Sequence, residues 1–289
     1  MKISHYDAFA IKPNKGNPAG VVLDANNLTD EQMQETAKKV GFNETSFVLK
    51  SLRADIQIRY FTPGHEMNLC GHGTMAALVA LYENDEYASI KTVETKGGII
   101  DVKVTRGENN EILVSMDQFN AQFVEYNGDI SELAKVIGIG ENEIDMNIPI
   151  VYGSTGIWTL LIPIKELSTF SKMKPNNQAF PKVLLQNDHA SIHPFCLQTY
   201  DKNATMHGRH FSSAFSGTIE DPTTGTASGV MGAYYLKYIS KKLEHCLIVE
   251  QGHEINKDGK VTVNVKKVKS EIEVEIEGSA VFVKNITIE

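Results

Sequence analysis

The chain has 289 residues, of which 42% are hydrophobic and 22% charged, and this ordinary globular composition excludes a disordered or fibrous protein. Its 28 basic and 36 acidic side chains give a net charge of −8, which argues against nucleic acid or an anionic membrane surface as a partner. Three cysteines are an odd, sparse set, which argues against a disulfide scaffold and fits a reducing compartment.

No segment predicts targeting, a membrane span or a metal site. The longest apolar run, Met75–Tyr82, is far shorter than the ~20 residues that span a bilayer. We therefore expect a soluble, cytoplasmic protein. The close pairs His65/His72 and His207/His210 lack partner ligands at metal-site spacing and are interpreted as loop or strand histidines.

Short strands and one amphipathic helix are predicted in the first half. Thr29 caps the helix, Gln32 completes a capping box and Gly41 ends it. Alternating apolar residues predict the strands around it, at Ile3–Ala10, Ala19–Leu23, Thr45–Leu49, Ala54–Phe61, Ile99–Thr105 and Ile112–Met116.

The pattern loosens around Phe119–Gly128, where a domain boundary is predicted. We expect domains over 1–118 and 119–289, with the last strand a candidate to return to the first domain. The second half begins with a helix near Ser131–Ile137 and strands near Ile148–Tyr152 and Ile157–Pro163. The alternating charges of Glu271–Ile276 predict a strand with one solvated face.

Two further helices, Gly73–Tyr82 and Gly225–Tyr238, carry no charge until their ends. A helix that is apolar on every side is buried on every side, so each half is expected to curl a sheet around a central helix. The stretches Arg59–Pro63 and Arg209–Ser213 precede these helices and resemble each other, which suggests a duplicated unit. The predicted class is therefore α+β.

Each central helix begins at a polar turn, Cys70–Thr74 in the first half and Asp221–Thr226 in the second. Helix N-termini bind anions through unpaired N–H groups and the helix dipole. If the halves face each other, the two turns would hold a small carboxylate; alternatively, their glycines are only turn residues.

Three side chains near these turns could carry chemistry. Glu44 lies near Phe42 and Phe47, so it is either a desolvated general base or an exposed residue at the start of a strand. His72 could donate a proton or hydrogen-bond a substrate, or it could cap its helix. Asp221 could accept from a substrate amine or interact with the helix dipole.

Cys70 bears on a different mechanism, because racemases of the two-thiol type need a cysteine on each face of the substrate. The matching turn of the second half, Asp221–Gly229, contains none. Cys196 and Cys246 fall in predicted strands and are interpreted as packing residues.

Taken together, five segments resemble the PhzF-like isomerase family of phenazine biosynthesis, with matching order and spacing along the chain. These segments are Asn17–Val22, Gly41–Phe47, Arg59–Pro63, Cys70–Thr74 and Glu220–Ala227. The resemblance implies the diaminopimelate epimerase-like fold, with two similar domains, each a curled, mostly antiparallel sheet around a central helix, and an active site between them.

The resemblance also implies roles for individual residues. Glu44 matches the family's catalytic acid/base, which moves a proton between two carbons on one face of trans-2,3-dihydro-3-hydroxyanthranilate. His72 matches a histidine that assists the proton transfer, and Asp221 matches an aspartate that binds polar groups of the substrate. The helix-mouth positions that would hold the substrate carboxylate are Gly73, Thr74, Gly225 and Thr226. The family typically forms homodimers and uses no metal or organic cofactor.

The leading hypothesis is a cofactor-independent isomerase of a small carboxylate, acting by proton transfer through Glu44. Many family members lie outside phenazine pathways, so the reaction type transfers better than the substrate. One alternative is an amino-acid racemase or epimerase that uses Cys70. Another is a catalytically inactive module that only binds a carboxylate.

Overall fold

Strands dominate the structure and helices are few. The computed structural model describes residues 1–83, 90–108 and 110–288. The chain divides into two compact units: the first comprises Met1–Asp117 and Glu277–Glu289, and the second comprises Gln118–Ile276.

The strands in chain order are β1 (Ile3–Ala8), β2 (Asn17–Val22), β3 (Glu44–Leu49), β4 (Ile56–Phe61), β5 (Glu66–Met67), β6 (Thr92–Thr95), β7 (Gly98–Arg106), β8 (Ile112–Asp117), β9 (Gln122–Glu125), β10 (Val151–Ser154), β11 (Trp158–Pro163), β12 (Ser191–Cys196), β13 (Met206–Gly208), β14 (His210–Phe211), β15 (Glu220–Asp221), β16 (Glu244–Gln251), β17 (Gly259–Val268), β18 (Glu271–Gly278) and β19 (Ala280–Ile286). The helices are α1 (Asp30–Val40), α2 (Gly71–Glu83), α3 (Ile130–Ile137), α4 (Phe180–Val183) and α5 (Gly225–Tyr234).

In the first unit, α1 forms as its sequence predicts. The Thr29 hydroxyl accepts from the backbone N–H of Gln32, whose side chain accepts from the Thr29 N–H, so both halves of the capping box are present. Gly41 ends the helix with a φ of 72°, the left-handed conformation that glycine adopts without strain. Met33 and Ala37 face inward and pack in a core cluster with Phe47 and its neighbours.

The sheet of the first unit surrounds α2. Strand β1 pairs antiparallel with both β2 and β19, and β2 continues in parallel to β3. Strand β3 pairs antiparallel with β4, which is parallel to β6, and β7 joins β6 to β8. Helix α2 packs against β1, β2, β3, β8 and β19, and every residue from His72 to Leu81 is buried.

The sheet of the second unit surrounds α5 in a similar way. Strand β10 lies between β9 and β11, and β11 runs parallel to β12. Strand β13 joins β12 to β16, and β16 pairs antiparallel with β17. Helix α5 packs on β10, β16 and β17. A Cβ at Gly232 would lie 2.6 Å from Val263 Cγ1, so this close approach of helix and sheet requires glycine.

Several predicted segments differ from the structure at their ends, among them the second central helix and the strand near Ile148. Helix α5 stops at Tyr234 and continues as a π-helical turn over Tyr235–Ile239, whereas one helix to Tyr238 was expected. Strand β10 begins at Val151 rather than Ile148. The strand predicted over Glu271–Ile276 is confirmed: Val274 and Ile276 are buried, while Glu271 and Glu273 are exposed.

The duplication suggested by the sequence has a structural counterpart ahead of each central helix. Phe61 on β4 pairs with Glu66 on β5, and Phe211 on β14 pairs with Glu220 on β15. An arginine–glutamate ion pair stabilises each of these short hairpins. Arg59 Nε lies 2.7 Å from Glu66 Oε1, and Arg209 Nη2 lies 2.6 Å from Glu220 Oε2.

The predicted α+β class, with curled sheets and few helices, is confirmed. Each unit contains one helix that is buried by its own sheet, α2 or α5. No helix in the described ranges is both long and apolar enough to cross a membrane.

Candidate active site

Glu44 is the first residue of β3 and lies directly after the loop that Gly41 opens. Its side chain is 16% exposed, and its Oε2 lies 3.0 Å from Nε2 of His72. Alternation along β3 points Phe47 to the opposite face, into the core cluster with Met33. The Glu44 side chain is thus largely shielded from solvent although Phe47 faces away from it, and its described partner is His72.

His72 is the second residue of α2, and its side chain is 9% exposed. Its Nδ1 lies 3.4 Å from Cys70 Sγ and 3.4 Å from Asn17 Nδ2. The imidazole is thus held between the carboxylate of Glu44 on one side and Cys70 with Asn17 on the other. Its position favours interaction with Glu44 over helix capping.

Cys70 takes the capping role that the sequence offered to His72. Its Sγ accepts the N–H of Gly73 at 3.3 Å, and its carbonyl accepts both the N–H and the hydroxyl of Thr74, at 2.9 and 2.7 Å. The sulfur therefore stabilises the beginning of α2, whose first N–H groups have no partner within the helix.

The electrostatics of this group favour the protonated form of His72. Burial alone lowers the pKa of His72, but its contacts with Cys70 and Glu44 outweigh burial and hold that pKa well above its ordinary value. Burial raises the pKa of the Cys70 thiol. These shifts favour a neutral thiol at Cys70 and a protonated imidazole at His72.

Gly73 and Thr74 lie at the centre of the first unit's packing. A Cβ at Gly73 would lie 2.6 Å from Ser46 Oγ, so glycine is needed at this position. Thr74 is fully buried, and its hydroxyl also contacts the Tyr60 hydroxyl at 2.6 Å. A substrate carboxylate at this helix terminus would compete with Cys70 for the Gly73 N–H.

The second unit positions Asp221, Gly225 and Thr226 at the beginning of α5. Asp221 ends β15, and its Oδ2 accepts from the hydroxyl of Thr224, the residue before the helix. Thr224 makes no side-chain cap on α5 itself. Gly225 is buried and Thr226 is half-buried. The structure thus brings Glu44, His72, Gly73 and Thr74 together in the first unit and these three residues together in the second.

Sequence reasoning missed Gln251, which supports the turn from Asp221 to Thr224. It is fully buried, its amide Nε2 donates to the Asp221 carbonyl at 2.6 Å, and its Oε1 accepts the Thr224 N–H at 3.2 Å. Gln251 and Asp221 are 30 residues apart, so the sequence around Gln251 carries no signal that connects it to Asp221.

The interpretation of cysteines and histidines from spacing alone needs correction. Cys196 is buried as expected, but Cys246 is exposed and does not serve packing. Among the residues that the structure describes, two groups of potential metal ligands have donor atoms within 4.8 Å of one another: Glu44 with Cys70 and His72, and His207 with Glu250 and His253. His72 and His207 therefore have candidate partner ligands: Cys70 lies two residues from His72, and the others come from more distant segments.

A cavity of 420 Å³ in the second unit contains none of the predicted site residues. Its lining residues are Phe119, Asn120, Gln122, Ser154, Gly156 and Trp158. We therefore assign the candidate site from the chemistry of its side chains rather than from the size of a cavity.

The family of phenazine biosynthesis-like proteins, PhzC-PhzF, matches residues 6–285. The chain belongs to this family. "Uncharacterized isomerase YfhB" of Bacillus subtilis (strain 168) is 47% identical over 283 residues, which cover 97% of this chain and 96% of that protein. "Trans-2,3-dihydro-3-hydroxyanthranilate isomerase" of Pseudomonas chlororaphis is 29% identical over 258 residues, covering 88% of this chain and 87% of that protein.

Solved structures show the same relationship. The Bacillus anthracis phenazine biosynthesis protein of the PhzF family is 55% identical, covers 99% of this chain and 98% of its own, and has a TM-score of 0.96. A probable proline racemase from Agrobacterium radiobacter K84 is 12% identical, with a TM-score of 0.66 over 100% of this chain and 92% of its own, and shows the fold alone. The predictions of a PhzF-like isomerase and a diaminopimelate epimerase-like fold are confirmed at this level.

Proposed function

We propose that the protein is a cofactor-independent isomerase that moves a proton within a small carboxylate substrate, with Glu44 as the acid/base. The observation that carries this proposal is the 3.0 Å contact between Glu44 Oε2 and His72 Nε2 in a largely buried setting. The relatives named as isomerases support the reaction class.

In the proposed mechanism, the Glu44 carboxylate removes a proton from one substrate carbon and returns it to another. His72, 3.0 Å away, orients the Glu44 carboxylate for this transfer. It also lies in position to stabilise charge that develops on the substrate when the carbon–hydrogen bond breaks. The low exposure of the Glu44 side chain, 16%, favours delivery of the proton to the substrate over its exchange with solvent.

The second unit is proposed to bind polar groups of the substrate. Asp221 accepts hydrogen bonds, as it does from Thr224, and the first turn of α5 at Gly225 and Thr226 offers N–H groups to a carboxylate. Gly73 and Thr74 are proposed to do the same at α2, with the Cys70 sulfur displaced from the Gly73 N–H.

The decisive experiment compares Glu44→Gln with wild type in D₂O. The substrate panel would comprise small cyclic hydroxy- and amino-carboxylates that include trans-2,3-dihydro-3-hydroxyanthranilate, the compound named for a relative. We expect wild type to isomerise one of them, with deuterium entering from solvent or moving from a labelled position. Loss of a positioned acid/base should slow both processes by about 10²–10⁴-fold.

Glu35→Gln is the matched control, because Glu35 is an exposed glutamate on α1 of the same unit. Its activity should equal that of wild type. Isomerisation by Glu44→Gln at the wild-type rate would refute the assignment. Binding of a panel member without any proton exchange in wild type would instead favour the inactive binding module.

A racemase or epimerase that uses Cys70 is the second candidate, because the sulfur lies 3.4 Å from His72 Nδ1. The raised pKa of the Cys70 thiol and its hydrogen bond from the Gly73 N–H count against a role of Cys70 as a thiolate base. Cys70→Ser should retain isomerisation under the leading proposal and lose it under this alternative. Independence from cofactors, a homodimeric state and a cytoplasmic location remain predictions.

A further inference from the structure

We propose that His207, Glu250 and His253 form a structural site for a divalent metal ion such as Zn²⁺ in the second unit. One donor atom from each residue lies within 4.8 Å of the other two. His207 Nδ1 and Glu250 Oε1 are 3.2 Å apart, close to the roughly 3.3 Å that separates two ligand atoms on a tetrahedral zinc ion. The ligand set of two imidazoles and one carboxylate suits zinc and other borderline divalent ions.

The backbone holds two of these ligands side by side. His207 on β13 and Glu250 on β16 are direct partners in a parallel pair of strands, and both side chains are fully buried. His253 follows Gly252, whose φ of 89° begins a tight turn that closes with the Lys257 N–H donating to the Gly252 carbonyl at 2.9 Å. This turn brings the second imidazole back toward the end of β16.

A second layer of contacts orients each ligand, as at known metal sites. The other ring nitrogen of His207, Nε2, lies 3.1 Å from Glu254 Oε1, so a carboxylate fixes which nitrogen carries hydrogen. Glu250 accepts the backbone N–H groups of Tyr200 and Asp201 at 2.6 and 3.0 Å. The ring of Tyr200 stacks on His253 with an interplanar angle of 19°.

Two polar atoms in and beside this group have no hydrogen-bond partner among the residues that the structure describes. They are His253 Nδ1 and Glu254 Oε2, and both atoms are buried. The Glu254 side chain is only 5% exposed. Leaving such atoms unsatisfied is unfavourable. A cation at this site would give His253 a partner, and its charge would favour the Glu254 carboxylate nearby.

This site does not participate in the proposed proton transfer. The metal site includes Glu250, the neighbour of Gln251 in the chain. Gly252 packs closely against the Pro222 carbonyl, whose oxygen would lie 2.8 Å from a Cβ at Gly252. The metal would therefore stabilise the turn that carries Asp221. Chelation should lower the melting temperature without removing a catalytic group.

Zinc titration of tag-free protein tests the proposal, with His253→Gln as the main variant. We expect wild type to retain one Zn²⁺ per chain after dialysis, and His253→Gln to retain none. Glu254→Gln should weaken zinc binding by about 10–100-fold, the usual effect of losing an outer-layer partner. His189→Gln replaces an exposed histidine of the same unit and should bind as wild type does.

Cys70→Ser separates this site from the group around His72, and it should leave zinc binding unchanged. X-ray absorption of zinc-loaded wild type should show only nitrogen and oxygen ligands. This measurement uses wild type alone, so it does not depend on whether the variants fold. No zinc retained by wild type, equal binding by His253→Gln, or a sulfur ligand would each overturn the proposal; His207 would then be a buried imidazolium between two carboxylates.

Discussion

At the scale of single residues, the contact between His72 and Glu44 links stability to pH. The pKa of His72 is raised in the folded protein above its ordinary 6.5. A raised pKa means that the stabilisation is fully present below pH 6.5 and is lost as pH rises through the folded-state value. We therefore expect this contribution to decrease from near-neutral toward alkaline pH.

The measurement is the free energy of unfolding of wild type and His72→Gln at several pH values, from denaturant titrations. The difference between the two proteins should be largest below pH 6.5 and should shrink as pH rises. His65→Gln replaces an exposed histidine of the same unit, so its difference from wild type should not follow this trend. A difference between wild type and His72→Gln that grows with pH would contradict the prediction.

The candidate site also shows which residue roles can be read from sequence. Glu44 and His72 were singled out through motifs, and the structure places them in contact. The capping role of Cys70 depends on how its sulfur is oriented at the beginning of α2, which the sequence does not specify. Gln251 and Glu250 were missed because their partners come from other segments, and hydrogen bonds over such separations leave no local pattern.

At the scale of elements, the two Arg–Glu hairpins are expected to differ in stability. Arg209 and Glu220 have side chains 7% and 8% exposed, and Arg209 also donates to the Phe170 carbonyl at 2.8 Å. Arg59 and Glu66 are 19% and 15% exposed. Breaking a buried ion pair leaves an uncompensated charge and costs about 3–5 kcal/mol, whereas exposed pairs contribute much less.

Arg209→Met should therefore destabilise the protein by about 3–5 kcal/mol, and Arg59→Met by clearly less. Thermal or urea unfolding of the two variants, side by side with wild type, gives the comparison. Methionine keeps much of the aliphatic volume in both cases, so loss of packing is matched. Equal losses would show that burial of the pair does not determine its contribution.

Elements with strong local signals were predicted well, and those without them were not. The capping box at Thr29 and the glycine at 41 define α1 within its own sequence. The two-residue strands β5 and β15 were missed because two residues show no periodicity, although the repeated Arg-x-Phe pattern beside them was visible. The ends of β10 depend on pairing with β9 and β11 rather than on its own residues.

At the scale of the whole molecule, the first unit is discontinuous, because β19 pairs with β1 from Ile3↔Ile286 to Ala8↔Ala280. Removing residues 279–289 should destabilise that unit, since it exposes one edge of β1 and removes Ile286 from the core cluster of Phe47. Hydrogen exchange should increase in β1 and β2 and remain close to wild type in β11 and β12.

A chain that ends at Ile286 is the control, because it keeps every pair between β1 and β19. Its exchange in β1 should match that of the full chain. Uniform loss of protection in both units after the larger deletion would contradict the prediction that its effect is confined to the first.

The pairing of the first strand with the last one also has a consequence for synthesis on the ribosome. The second unit, Gln118–Ile276, is one continuous stretch, so it can complete its fold as soon as it emerges. The first unit waits for β19, at a translation rate of about 5–20 residues per second. Any nascent product that stops short of this strand therefore leaves β1 without one of its two partner strands, so the unit that carries Glu44 stays incomplete until β19 has been made.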